Sequence, residues 1–69
     1  MAKLLTEENK AVIHAMARCS MKSSDVCRAL GKSNTWLEKQ IRVITGKTGL
    51  SPKCFYDLVA LLELVRKAE

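Results

Sequence analysis

Residues 23–44 read SSDVCRALGKSNTWLEKQIRVI, and the rest of the chain is organised around them. Ser23 or Ser24 supplies the N-cap of a short helix through Val26, Cys27 and Leu30, because a serine oxygen accepts one of the N–H groups left over in a first helical turn. Gly31 should end that helix, since glycine reaches the left-handed cap conformation without a Cβ penalty. Ser33 then caps a second helix, with Asn34, Thr35 and Trp36 in its first turn and Leu37, Ile41 and Ile44 as its inward stripe. Two helices closed by a three-residue turn with glycine at the bend form a helix-turn-helix pattern.

Working outward from this stretch, Thr6 is an N-cap and Glu7 and Glu8 complement the dipole of a first helix over 6–19. Leu4 or Leu5 is placed to staple onto it. Val12, Ile13, Met16 and Cys19 share its inner face, with Asn9, Lys10 and Arg18 expected around the other. On the C-terminal side, residues 45–52 (TGKTGLSP) read as a loop. Ser51-Pro52 then opens a last helix over 52–67, with serine as cap and proline at the first helical position. Phe55, Leu58, Leu62 and Val65 form its stripe, and Val59, Leu61 and Leu64 make that stripe broader than one small core needs. The expectation is one all-α domain over 1–69, a compact four-helix unit with helices at about 6–19, 23–30, 33–44 and 52–67. At 69 residues it lies near the lower size limit for folding on a single core.

The net charge of +5 is unevenly placed. Residues 32–53 hold five Lys/Arg against one Asp/Glu, whereas residues 54–69 hold two against three. The positive excess is centred on the second helix of the pattern and the segment behind it, where contacts to phosphate would be needed. Cys19, Cys27 and Cys54 are odd in number and have neither CxxC spacing nor a cluster with the one histidine, His14. They read as buried free thiols at apolar helical positions, as in a reducing compartment. With no signal peptide and no apolar run of bilayer length, the expected location is the cytoplasm, with no membrane partner. No cofactor or metal ligand set is expected, and His14 reads as a surface or core-rim residue.

The run LGKSNTWL (30–37), the Gly46-Lys47 pair and the later FYDLVALLEL (55–64) resemble the Cro/C1-type helix-turn-helix family of phage repressors and small bacterial regulators. The likeness covers roughly residues 23–65. Cys27 matches the family's small residue within the second helix, Gly31 its turn glycine and Leu37 its anchoring aliphatic. Lys32 and Gln40 depart from it, standing where apolar residues are usual.

The resemblance implies a sequence-specific, double-stranded DNA-binding transcriptional regulator, a repressor by analogy, that reads the major groove with helix 33–44. Base contacts would fall to Asn34, Thr35, Glu38, Lys39 and Arg42. Their chemistry is suitable, since Asn grips adenine, Arg and Lys grip guanine, and Glu accepts from cytosine. Backbone contacts would come from Ser23, Ser24, Lys32, Ser33, Trp36, Lys47 and Lys53, with helix N-termini among the anion sites. Trp36 has two readings, a ring edge against DNA or a ring packed into the core.

Helix 52–67 is the candidate for homodimer formation, through Tyr56, Leu61 and Leu64. Two copies on neighbouring half-sites would bind a palindrome with avidity. The competing reading of its broad face is simple closure of the core.

A second function remains open, a small protein-binding inhibitor or adaptor on the same scaffold, which Glu38 amid the reading residues favours. An enzyme is not expected. No carboxylate pair or Cys/His arrangement suggests one, and GKTG at 46–49 lacks the rest of a phosphate-binding loop.

Overall fold

The computed structural model describes residues 5–68, all helix and turn with no strand among them. Four helices follow in order, α1 (Glu7–Arg18), α2 (Ser23–Leu30), α3 (Asn34–Thr48) and α4 (Phe55–Ala68). Helix α1 is the hub and packs against each of the other three, while α2 also packs against α3. The Cα radius of gyration, 10.9 Å, is what a close-packed chain of this length should have, about 11 Å.

Local chemistry explains most of the boundaries. Thr6 Oγ1 accepts from the Asn9 N–H (3.1 Å), and Asn9 Oδ1 accepts in return from the Thr6 N–H (3.2 Å), a reciprocal capping box. Helix α1 closes on Cys19, and the chain turns through Ser20 and Met21, both left-handed at φ 52° and 65°. Such conformations cost L-residues about 1–2 kcal/mol each. Met21 recovers part of this by packing on the core, and its N–H donates to the Met16 carbonyl at 2.8 Å.

Helix α2 begins where expected, but neither serine caps it. Lys22 is the extended N-cap residue and no side chain caps the helix there, while Ser23 and Ser24 are already helical. Gly31 ends it at φ 66°, ψ 33°, and the Lys32 N–H closes back on the Cys27 carbonyl at 3.0 Å.

Helix α3 is longer than its glycines suggest. It continues through Gly46 and Lys47 to Thr48, and the left-handed residue that ends it is Gly49, at φ 72°. The Thr45 and Thr48 hydroxyls donate to the Ile41 and Ile44 carbonyls (2.9 and 2.8 Å), and Ile44 is fully buried. Buried Ile44 just before this turn and the two threonine hydrogen bonds hold it helical against the roughly 1 kcal/mol that a mid-helix glycine costs.

Helix α4 starts three residues later than the Ser-Pro signal indicates. Ser51 Oγ accepts from the Lys53 N–H (3.3 Å), and the Cys54 N–H donates to the Ser51 carbonyl (3.1 Å). That makes a separate turn over buried Pro52 before the helix begins at Phe55. Cys54 therefore lies exposed in a turn, not buried on a helix, while Cys19 and Cys27 are half-buried; all three are free thiols.

The core comprises Leu5, Val12, Ile13, Ala15, Met16, Val26, Leu37, Ile41, Ile44, Leu58, Leu61 and Val65. Leu5 is thus buried in the core just before α1, and Leu4 falls outside the described residues. The face of α4 is rotated from the expected stripe. Leu58, Leu61 and Val65 point inward, while Phe55 and Val59 are 61% and 46% exposed. Asn9 and Lys10, expected on the polar side of α1, are instead buried at 1% and 7% exposure. Lys10 keeps its charge paired with Glu7 at 3.7 Å. No described helix is long and apolar enough to cross a membrane.

Candidate nucleic-acid interface

The inward stripe Leu37, Ile41 and Ile44 determines which side of α3 faces out. On the opposite side Asn34, Thr35, Glu38, Lys39 and Arg42 line one shallow, open depression, so the five residues expected at base edges do share a surface. Asn34, Thr35, Lys39 and Arg42 are exposed and Glu38 is half-buried. Together they offer amide, hydroxyl, carboxylate, ammonium and guanidinium groups, the full range of hydrogen-bonding chemistry used at base edges.

The rotation of α3 about its axis is held by a polar contact that the sequence reading missed. Asn9 Nδ2 donates to Gln40 Oε1 at 2.7 Å, and Lys47 Nζ donates to Asn9 Oδ1 at 3.3 Å. Gln40 stands where an aliphatic residue was expected, and it serves as the α3 half of a hydrogen bond to α1. The signal was present in the spacing, since Asn9 is the third residue after the Thr6 cap, a position whose side chain reaches back to cap the helix start.

The residues expected at the sugar-phosphate backbone are less uniform. Ser33 Oγ accepts from the Trp36 N–H at 3.2 Å and caps α3. Helix geometry leaves the N–H groups of Asn34 and Thr35 without an acceptor inside the helix. Lys32 lies over the Trp36 ring, its Nζ 5.4 Å from the centroid, a cation–π contact. Trp36 itself is half-buried against the core. Ser23 is half-buried and Ser24 exposed, both in the first turn of α2.

Two lysines carry ties of their own. Lys47 reaches back to Asn9 from the last turn of α3 rather than standing in a loop. Lys53 Nζ donates to Glu38 Oε1 at 2.8 Å, an ion pair about half exposed at both side chains. The negative charge in the depression is thus offset by a cation from the turn before α4.

The surface expected for self-association needs one correction. Leu61 is fully buried, so it is a core residue and unavailable to a partner, and Leu64 is partly buried against the same core. Tyr56 is 83% exposed and meets Phe55 edge to face, with ring centroids 5.9 Å apart. An apolar groove of about 220 Å³ runs between the end of α1 and α4, lined by Phe55 together with Met16, Met21, Leu58, Val59 and Leu62 among others. His14 is exposed on α1.

Comparison with protein-family models, with curated proteins and with solved structures finds no match to this chain.

Proposed function

We propose that this protein is a sequence-specific double-stranded DNA-binding regulator of transcription, a repressor, that lays α3 in the major groove. One observation carries the reading. Asn34, Thr35, Glu38, Lys39 and Arg42, each able to hydrogen-bond a base edge, line a single open depression on α3, and Asn9–Gln40 anchors the helix from another side. The charge supports it, because the excess of Lys/Arg falls in residues 32–53, the part of the chain that would meet phosphate. The role is one of binding, not catalysis.

Self-association belongs to the same proposal. The exposed Phe55 and Tyr56 rings, with the apolar groove that Phe55 helps to line, form one apolar face that two copies would share about a two-fold axis. A dimer would place two α3 helices on half-sites of a palindrome about one DNA turn apart.

Fluorescence anisotropy with a random-sequence duplex tests the DNA reading, with wild type and the Lys39→Ala/Arg42→Ala variant side by side. Wild-type affinity should fall steeply from about 50 to about 200 mM salt. The variant should bind more weakly throughout, with a salt slope shallower by about one for each cation that meets phosphate. Absence of binding at low salt, by protein that circular dichroism shows to be helical, refutes the assignment. The same exposed rings and Glu38 would then favour the second reading, an inhibitor or adaptor that meets a protein partner.

A further inference from the structure

Glu38 is the one acidic group among the residues that line the α3 depression. A carboxylate there is repelled by phosphate and by every base edge that presents only acceptors. Guanine presents N7 and O6 to the major groove, and thymine presents O4 beside its methyl group. Cytosine presents its N4 amino group as a donor, and adenine pairs its N6 donor with an N7 acceptor. An acidic side chain at this place therefore selects among bases in a way that Lys39 and Arg42, as donors, cannot.

The carboxylate is also held. Lys53 Nζ donates to Oε1 at 2.8 Å, and the backbone of Lys53 is itself fixed in the turn before α4. Its N–H donates to Ser51 Oγ (3.3 Å), the Ser51 N–H donates to Asp57 Oδ2 (3.1 Å), and Pro52 between them is buried. The ammonium arrives from outside α3, engages one carboxylate oxygen and offsets the charge that would otherwise oppose DNA. Both side chains are about half exposed, so the pair orients Glu38 and leaves it accessible.

Resting on the DNA reading above, we infer that Glu38 is a specificity-determining residue of this surface. It accepts the N4 amino group of a cytosine and rejects guanine and thymine at that position. Lys53 is a positioning residue that aims the carboxylate and neutralises it near phosphate. Replacing that cytosine with guanine or thymine should weaken binding by about 5- to 150-fold, the span of a single good base contact. In Glu38→Gln the amide adds a donor to the acceptor, so the preference should move to adenine, whose N6 and N7 it matches. Lys53→Ala should weaken binding to all sequences and blunt the cytosine preference.

The test is selection from a randomised duplex pool with wild type, Glu38→Gln and Lys53→Ala, each checked for helicity by circular dichroism. Anisotropy on the selected duplex and its single-base variants follows. The expected result is a wild-type motif with cytosine favoured over guanine and thymine at one position, changed at that position in Glu38→Gln and unchanged elsewhere. A wild-type motif that Glu38→Gln selects unaltered overturns the assignment while leaving DNA binding intact. A Lys53→Ala variant with wild-type affinity and preference overturns the positioning role. A helical wild type that selects nothing and binds no duplex at low salt removes the DNA reading itself, and this inference with it.

Discussion

Replacing Asn9 with alanine removes the side chain that joins α1, α3 and the start of the first helix. Asn9 is 1% exposed, and its Nδ2 donates to Gln40 Oε1 at 2.7 Å, while its Oδ1 accepts from the Thr6 N–H at 3.2 Å and Lys47 Nζ at 3.3 Å. Thr6 and Lys47 are exposed, so water takes over those two contacts and each loss costs about 0.5 kcal/mol. Gln40 is half-buried, and stranding its acceptor costs about 1–2 kcal/mol. The total of about 2–3 kcal/mol is large for a domain of this size, whose whole stability is about 3–10 kcal/mol. At about 4–8 °C per kcal/mol, the midpoint should drop by about 10–20 °C. Thermal and urea unfolding followed by circular dichroism measure this directly, and a double-mutant cycle with Gln40→Ala isolates the pair. The double variant should be less destabilised than the sum of the singles by about 1 kcal/mol. A cost below about 0.5 kcal/mol for Asn9→Ala, or strict additivity with Gln40→Ala, would show that this contact does not hold α3 in place.

Five further substitutions separate features that look alike in the sequence. Gly46 lies inside α3 and Gly49 ends it at φ 72°, and at both a methyl group would point into open space. Gly46→Ala should therefore raise stability by about 0.5–1 kcal/mol and Gly49→Ala lower it by about 1 kcal/mol, and opposite shifts in urea midpoint check the pair. Leu61→Ala, in the core, should cost about 2–5 kcal/mol. Tyr56→Ala should instead stay within about 0.5 kcal/mol yet reduce any concentration-dependent mass in sedimentation equilibrium. Ser20→Gly relieves a left-handed serine and should stabilise by about 0.5–1 kcal/mol after the entropy of glycine is counted, which a thermal melt resolves.

Local rules carry furthest where one residue decides its own geometry. The Thr6 cap, the Gly31 stop and the Ser33 cap were legible because each depends on a backbone conformation or a hydrogen bond spanning a few residues. The inward stripe of α3 was legible for a similar reason, since helical periodicity alone groups Leu37, Ile41 and Ile44. Once that stripe is inward, the opposite face with Asn34, Thr35, Glu38, Lys39 and Arg42 follows from the pitch of the helix.

Local rules fail where packing outweighs propensity. Gly46 looks like a helix breaker, yet the turn around it is anchored by buried Ile44 and threonine hydroxyls. Helix α4 is apolar around so much of its circumference that periodicity alone could not choose its inner face. Its packing on α1 turned Leu58, Leu61 and Val65 inward and left Phe55, Tyr56 and Val59 outside.

The sequence by itself determined the helical class, the caps and the charge on the segment around α3, all properties of residues and their near neighbours. Only the tertiary structure decided that Asn9 is buried against Gln40 and that Lys53 pairs with Glu38. These partners lie 31 and 15 residues apart, and no local preference specifies a contact across that separation; it arises from how the helices pack.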